Sequence, residues 1–349
     1  MTDLVGDKGG GAKGRRLTQK QLAERLGLST ATVSLALRDS PMVALETRRL
    51  VQAAIAESGY VYNVAAAALR TGKTGIVGVS FHNIAHQFFA EMLIAIEETL
   101  AGDGRAVFIN NHGENPASLA RFVENLAAYG ADGLIVSPPS GIAVETLAPI
   151  RAQGAPVVYT SRHLTEDSEA DRVINADAKA MRLATGRLLA LGRRDPVLLG
   201  GAPGNTVSAE RVAGFRAEIE EAGIAWDPSR WISARPRLLE GATAATEALK
   251  RSPRPDGFVC FNDLVAFGAM NALRSAGLTP GREVGVVCLG GTEEAAAFHP
   301  GLTTVLDNPA KIGRIAAEML VERLRTPDAP PRTVTLDPKL VVRESCGGG

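Results

Sequence analysis

LTQKQLAERLGLSTATVSLALRDSPMVALETRRLVQAAIAESGY, residues 17–60, reads as three short helices with a very tight turn between the first two. Thr18 opens a T-x-x-Q capping box with Gln21, and Leu22 and Leu26 recur four apart on one helical face. Gly27 closes that helix where the chain must turn left-handed, and Ser29 caps a second helix whose Val33 and Leu37 again lie four apart. A third helix is expected over roughly 45–58, with Leu50, Val51, Ala54 and Ile55 inward and Gly59 just past its end. Two helices joined this tightly make a helix-turn-helix. The run NVAAAALR (63–70) is helix-competent but too short to be stable alone.

Working outward, residues 1–14 are Gly-rich without apolar periodicity and read as a leader outside the fold. From Thr74 the pattern changes to short apolar runs: GIVGVS (75–80), AVFIN (106–110), GLIVS (133–137), PVVYT (156–160), PVLLGG (196–201), GFVCFN (257–262) and VGVVCL (284–289). Each reads as a buried strand. Amphipathic stretches alternate with them at 89–100, 119–129, 178–191, 208–222 and 264–276. Such alternation implies parallel sheets wound by right-handed crossovers, and this many strands suit two such units, with ligands beyond the carboxyl ends of the strands.

Of the 349 residues 45% are hydrophobic and 22% charged, the balance of a globular protein. No window of eighteen apolar residues and no apolar stretch behind the basic leader is present, which predicts a cytoplasmic protein with neither membrane span nor signal peptide. Cys260, Cys288 and Cys346 are odd in number and widely spaced, which predicts free structural thiols rather than a disulfide framework or a zinc site. The zero net charge hides an asymmetry: residues 1–73 hold eleven Lys and Arg against six acids, +5, so the remainder is −5. A basic module joined to an acidic one fits a chain of which only the first part meets a polyanion.

These residues together closely resemble the LacI/GalR family of bacterial repressors, from about Leu17 to Ser345. The match runs without a gap through the head and into NVAAAALR, including A-x-x-x-G-x-S-x-x-T-V-S and G-Y-x-x-N. It returns in NDLVAFGAMNALRSAGL (262–278), LTTV (302–305) and LVVRES (340–345). The resemblance implies a small all-α helix-turn-helix head (15–62), a hinge helix and linker (63–73), and an α/β periplasmic-binding-protein-like core (74–349) of two doubly wound parallel-sheet subdomains. It would place the N-subdomain at about 74–173 and 292–325 and the C-subdomain at about 174–291 and 326–345. The sequence departs from the family twice. Cys288-Leu289-Gly290-Gly291 stands where many members carry G-F/Y-D-D, and His86-Gln87-Phe88-Phe89 where N-P-F-F is common.

For operator DNA, the resemblance puts Thr30, Ala31 and Leu35 toward bases and Thr18, Ser29, Thr32, Ser34 and Asn63 toward phosphates, with Arg38 beside them. A helix starting at Ser29 suits this, because its N-terminal side chains can reach base edges while its N–H groups hold phosphate. Equally, small hydroxyl residues there cap and solvate helices. Ala65 to Ala68 make a narrow hinge, and by its place in that hinge Leu69 would be a wedge between base steps.

For a ligand, the strongest pair is Arg211, on the helix after PVLLGG, and Asp263, directly after GFVCFN; both match ligand-contact positions of the family. The alternatives for each are an internal salt bridge or a helix cap. Arg162 matches a contact position on the other subdomain, and Phe88 or Phe89 would stack on a ring; surface charge and core packing are their alternatives. Arg162, Arg211, Arg235 and Arg237 together would favour an acidic sugar. Enzyme-like signals are poor: GGAPGN (200–205) lacks both G-x-G-x-x-G and a P-loop Lys, and His82 and His86 have no third ligand. The reading is a homodimeric, ligand-responsive repressor without catalytic activity or cofactor, binding a near-palindromic operator and a sugar-like effector. The competing readings are a cytoplasmic sugar-binding module without a regulatory role, an α/β enzyme fused to a head, and a corepressor-dependent regulator with a non-sugar ligand.

Overall fold

The computed structural model describes residues 17–37, 41–58, 60 and 72–348. The chain forms two compact units, Met1–Thr74 and Gly75–Gly349.

In the first unit lie α1 (Gln19–Leu26), α2 (Thr30–Ala36) and α3 (Leu45–Ser58). The expected caps are present. Thr18 accepts from Gln21 N and donates its own N–H to Gln21 Oε1, Gly27 turns at φ 64°, and Ser29 accepts from Thr32 N at 3.0 Å. Leu22, Val33, Ala36, Val51 and Ala54 close a small core with Val43 and Tyr60. Leu50, expected inward, is instead 49% exposed, because Val51 and Ala54 already fill the face of α3 that meets the core.

The second unit holds twelve strands and the remaining described helices: α4 (Gln87–Gly102), α5 (Pro116–Ala128), α6 (Ala148–Arg151), α7 (Asp177–Ala190), α8 (Thr206–Glu221), α9 (Leu238–Ala248), α10 (Asp263–Ser275), α11 (Glu293–Ala297) and α12 (Pro309–Arg325). The strands are β1 (Ile76–Phe81), β2 (Ala106–Asn111), β3 (Gly133–Val136), β4 (Val157–Thr160), β5 (Asp171–Asn175), β6 (Pro196–Leu199), β7 (Trp231–Ile232), β8 (Gly257–Cys260), β9 (Gly285–Gly290), β10 (Thr303–Leu306), β11 (Thr333–Leu336) and β12 (Lys339–Val341). They make two six-stranded sheets, ordered β11-β5-β4-β3-β1-β2 and β12-β10-β9-β8-β6-β7, with every pairing parallel except β10 with β12.

Helices cover both faces of each sheet. In the first, α4 and α12 supply Phe89, Met92, Ile96, Ile312, Ala316 and Leu320 to one face, and α5 supplies Leu119, Val123 and Leu126 to the other. In the second, α9 and α10 cover one face and α7 and α8 the other. The seven apolar runs all become strands, but β2 is an edge strand and mostly exposed rather than buried, since only β1 pairs with it.

The chain crosses between the sheets at 176, 307–308 and 337–338. Two stretches therefore divide differently from the expected boundaries. β10, within 292–325, pairs with β9 of the second sheet, and β11, within 326–345, pairs with β5 of the first. The cause is the hydrogen-bonding register of two short strands, Thr-Thr-Val-Leu and Thr-Val-Thr-Leu, whose apolar content is too low for sequence to assign them to a sheet.

Candidate functional site: an inter-sheet cleft and an exposed helix N-terminus

On the head, Ser29, Thr30 and Ala31 are exposed at the start of α2, as is Thr18 at the start of α1. Ser29 Oγ caps Thr32 N and lies 2.8 Å from Thr32 Oγ1, so these two hydroxyls are partly engaged with each other. Gln19 Nε2 donates to the Thr30 carbonyl at 3.0 Å and fastens α1 to the start of α2. Ser34 is 1% exposed, which removes it from a phosphate-facing role, and Leu35 is half-buried against the head core. Both departures follow from the 3.6-residue period, which places 33, 34, 36 and 37 toward α1 and α3 and leaves 35 at the rim. Arg38, Asn63 and Leu69 lie outside the described residues.

The carboxyl ends of the two core sheets face a common cavity of about 440 Å³. Strand ends point their residues there in any doubly wound sheet. His82 follows β1, Ser161 and Arg162 follow β4, Phe261 to Asp263 follow β8, Gly290 and Gly291 end β9, and Asp307 follows β10; the start of α4 adds Phe88 and Phe89. Five residues singled out from sequence, Phe88, Phe89, Arg162, Arg211 and Asp263, thus border one space. Arg235 and Arg237 do not, and Arg235 pairs with Glu240 at 2.7 Å instead.

Arg211 arrives on α8, whose cap is Asn205 accepting from Ser208 N at 2.9 Å. It is 5% exposed and densely engaged. Nε donates to Asp177 at 2.6 Å, Nη1 donates to the Phe261 carbonyl, Nη2 stands 3.5 Å from Asp307, and the guanidinium lies 4.5 Å from the centre of the Phe261 ring. Asp177 and Asp307 flank the first two crossings, so one guanidinium ties both. Burial pushes the Asp177 carboxyl up against the pull of Arg211, and pushes Asp307 up to about 7.

Asp263 is 3% exposed and turned toward the end of β9. It accepts from Gly291 N at 2.9 Å, Thr292 N at 3.1 Å and the Cys288 thiol at 3.0 Å. Gly290 makes this possible: a Cβ there would stand 2.3 Å from an Asp263 oxygen. The glycines in place of the family's acidic pair and the orientation of Asp263 are therefore one arrangement.

On the opposite wall Arg162 donates to Glu114 at 2.6 Å, and His82 stands 3.7 Å from the same carboxylate. Burial, with Arg162 next in effect, pushes His82 down to about 2, and His86 and His112 are also lowered chiefly by burial. Near neutrality His82, His86 and His112 therefore add no charge to this wall, whose charges are the Arg162–Glu114 pair and, on the cavity border, Glu91 and Lys311. Phe88 and Phe89 meet edge to face at 5.0 Å, with Phe89 in the core and Phe88 more open. His86 Nε2 lies 2.9 Å from Asn262 Nδ2 across the cavity, a contact between the two subdomains.

Sequence reading missed Asn262, His86 as its partner, Asp177 and Asp307. Asn262 ends the apolar run GFVCFN, and that position was the available signal; Asp307 follows Thr-Thr-Val-Leu, too weakly apolar to give one.

Residues 18–63 match the model of bacterial regulatory proteins of the lacI family, and residues 185–346 match that of the periplasmic binding protein-like domain. The maltose regulon regulatory protein MalI of Escherichia coli (strain K12) is 27% identical over 339 residues, 95% of this chain and 99% of that protein.

The chain joins a lacI-family regulatory head to a periplasmic binding protein-like domain.

Among solved structures, a CelR–cellobiose complex of a transcriptional regulator is 26% identical with a TM-score of 0.71, covering 95% of this chain and 100% of that one. The lac repressor dimer bound to operator and the anti-inducer ONPF shares the fold at 24% identity and a TM-score of 0.83, covering 95% and 99%. With that head and that domain, and with regulators as its full-length relatives, the protein is a DNA-binding transcription regulator under effector control, not an enzyme. Among the described residues no helix is long and apolar enough to cross a membrane.

Proposed function

We propose that this regulator is a cytoplasmic homodimeric repressor that binds a near-palindromic operator and is switched by a sugar or related polyol in the inter-sheet cleft. The observation that carries the reading is the cleft itself. Its walls belong to two subdomains joined by three crossings, and Arg211 holds residues at two of those crossings while bordering the ligand space. A ligand that recruits Arg211 therefore changes the balance between open and closed arrangements, which is what differential affinity for two states requires. The half-buried rings of Phe88 and Phe261 beside buried hydrogen-bonding groups suit the flat apolar faces and hydroxyl rims of sugars. MalI and the CelR complex, named for maltose and cellobiose, support the same class.

On DNA, Thr30 and Ala31 are read as base-facing and Thr18 and Ser29 as phosphate-facing, with Leu69 in the hinge kept as the wedge. The test is operator selection with the full chain, followed by titration of the selected site at rising salt. Affinity falls steeply with salt, as displaced counterions demand. Arg211→Ala leaves sugar-free DNA affinity within about threefold while abolishing the sugar response, a loss of roughly 1–3 kcal/mol in ligand binding. A salt-independent affinity, or an intact sugar response in that variant, refutes the reading.

A further inference from the structure

Asp307 occupies the second crossing directly after β10, and its backbone N–H donates to the Gly290 carbonyl at 2.9 Å. It thus lies beside Gly290 and Gly291, the two positions where the family commonly has acids and this chain has none. The residue is 7% exposed and borders the cavity. The other carboxylates near that space are committed at short distance: Asp263 to two amides and a thiol, Asp177 to Arg211 at 2.6 Å, and Glu91 to Gln87 at 2.9 Å. Among the described residues Asp307 meets Arg211 at 3.5 Å, the outer limit of a hydrogen bond. Of the two buried carboxylates that line the cavity, Asp263 already accepts from three donors and Asp307 meets one distant guanidinium, so Asp307 keeps the greater acceptor capacity.

We propose that Asp307 is the effector-reading carboxylate of the cleft, accepting hydrogen bonds from hydroxyls of an uncharged sugar and rejecting the corresponding sugar acid. The inference rests on the sugar reading above and names the member of that class. It replaces the expectation of an acidic sugar, because the two arginines that border the cavity are already matched, Arg162 by Glu114 and Arg211 by Asp177 and Asp307, while Arg235, paired with Glu240, and Arg237 do not border it. Lys311 is an exposed cation on the border of the same cavity, which Glu91, Asp263 and Asp307 also line. A ligand carboxylate placed near Asp307 would meet a buried like charge, and among the described residues both guanidiniums that line the cavity are already paired, which is a strong basis for rejection.

The groups facing Asp307 are Arg211 on α8, Asp177 at the start of α7 and Asp263 at the start of α10, with His86 and Lys311 on the cavity border. Burial outweighs Arg211 and leaves the carboxyl titrating at about 7. An effector that needs the ionised form binds more weakly as pH falls through that value, by about tenfold between pH 8 and pH 6.

The test is calorimetry on the full chain with matched neutral and acid sugars, D-glucose and D-glucuronate, D-galactose and D-galacturonate, and cellobiose and cellobionate, at pH 6, 7 and 8. Wild type, Asp307→Asn and Asp307→Ala are compared. The neutral member of the binding pair is expected to bind at least tenfold more tightly than its acid. In Asp307→Asn that preference shrinks and the pH profile flattens. An acid that binds wild type as well as its neutral partner overturns the proposal and leaves the sugar reading standing, as does undiminished discrimination in both variants. Failure of every pair to bind rejects the sugar reading itself.

Discussion

Gly290 ends β9 at φ 147°, and the carboxylate of Asp263 occupies the space beside its Cα. A side chain there meets both a backbone conformation that L-residues avoid and a buried carboxylate with three donors already in place. Gly290→Asp, which restores the residue type common in the family, is therefore expected to destabilise the core by about 1–3 kcal/mol, because Asp263 loses its amide donors. Urea denaturation of the two proteins measures this, and unchanged stability would show that the turn relaxes without loss. Asp263 was legible as a cleft residue because it directly follows β8. Its commitment to the 290–292 turn was not, since that depends on a strand end far along the chain which only the sheet brings alongside. Arg211 was legible in the same way, and its two acidic partners were hidden because they sit where the chain changes sheet.

At the scale of the element, α2 shows how much a helical period leaves undecided. The caps at Thr18, Gly27 and Ser29 and the inward Val33 were all readable from local chemistry. The rim position of Leu35 was not, because the width of the buried stripe depends on how α1 and α3 close over it. Leu35 touches the head core, so Leu35→Ala is expected to weaken binding to all DNA sequences alike. Thr30→Ala instead relaxes preference at one base pair by about 1 kcal/mol. Binding selection separates the two effects, and a preference lost at a single base pair in Leu35→Ala would return that residue to the base-reading set. Among the strands, the seven apolar runs identified themselves. β10, β11 and β12 did not, because strands rich in Thr or Lys at a crossing carry little hydrophobic periodicity.

For the whole molecule, the buried histidines predict acid lability. On the cavity wall of the folded protein His82 takes a proton only near pH 2, whereas the unfolded chain takes one near 6.5. The unfolded state therefore binds more protons below 6.5, and the contribution of neutral His82 is present above that pH and lost as pH falls. The loss is about 1.4 kcal/mol per pH unit, so about 2 kcal/mol at pH 5, with lowered His86 and His112 acting in the same direction. Thermal unfolding from pH 7.5 to 5 measures the slope, and His82→Gln should flatten part of it; an unchanged slope would mean that His82 titrates normally. The core also exposes Ile94, Phe108, Ile109 and Tyr129 along and beside the edge strand β2. An apolar edge of this kind suits the dimer proposed for the regulator. Ile109→Glu is expected to shift sedimentation toward the monomer and to lower operator affinity, and a dimer of unchanged strength would place the interface elsewhere.

Switching requires that one ligand be felt at two distant places, and a single titration reads it. Fluorescence anisotropy with the selected operator, at fixed salt, is followed while a sugar shown by calorimetry to enter the cleft is added to wild type and to Arg211→Ala. DNA affinity in wild type should change by at least about fivefold at saturation, the lower end of allosteric coupling, and should stay constant in the variant. A sugar that saturates the cleft of the wild-type protein and leaves its operator affinity unchanged would contradict the account.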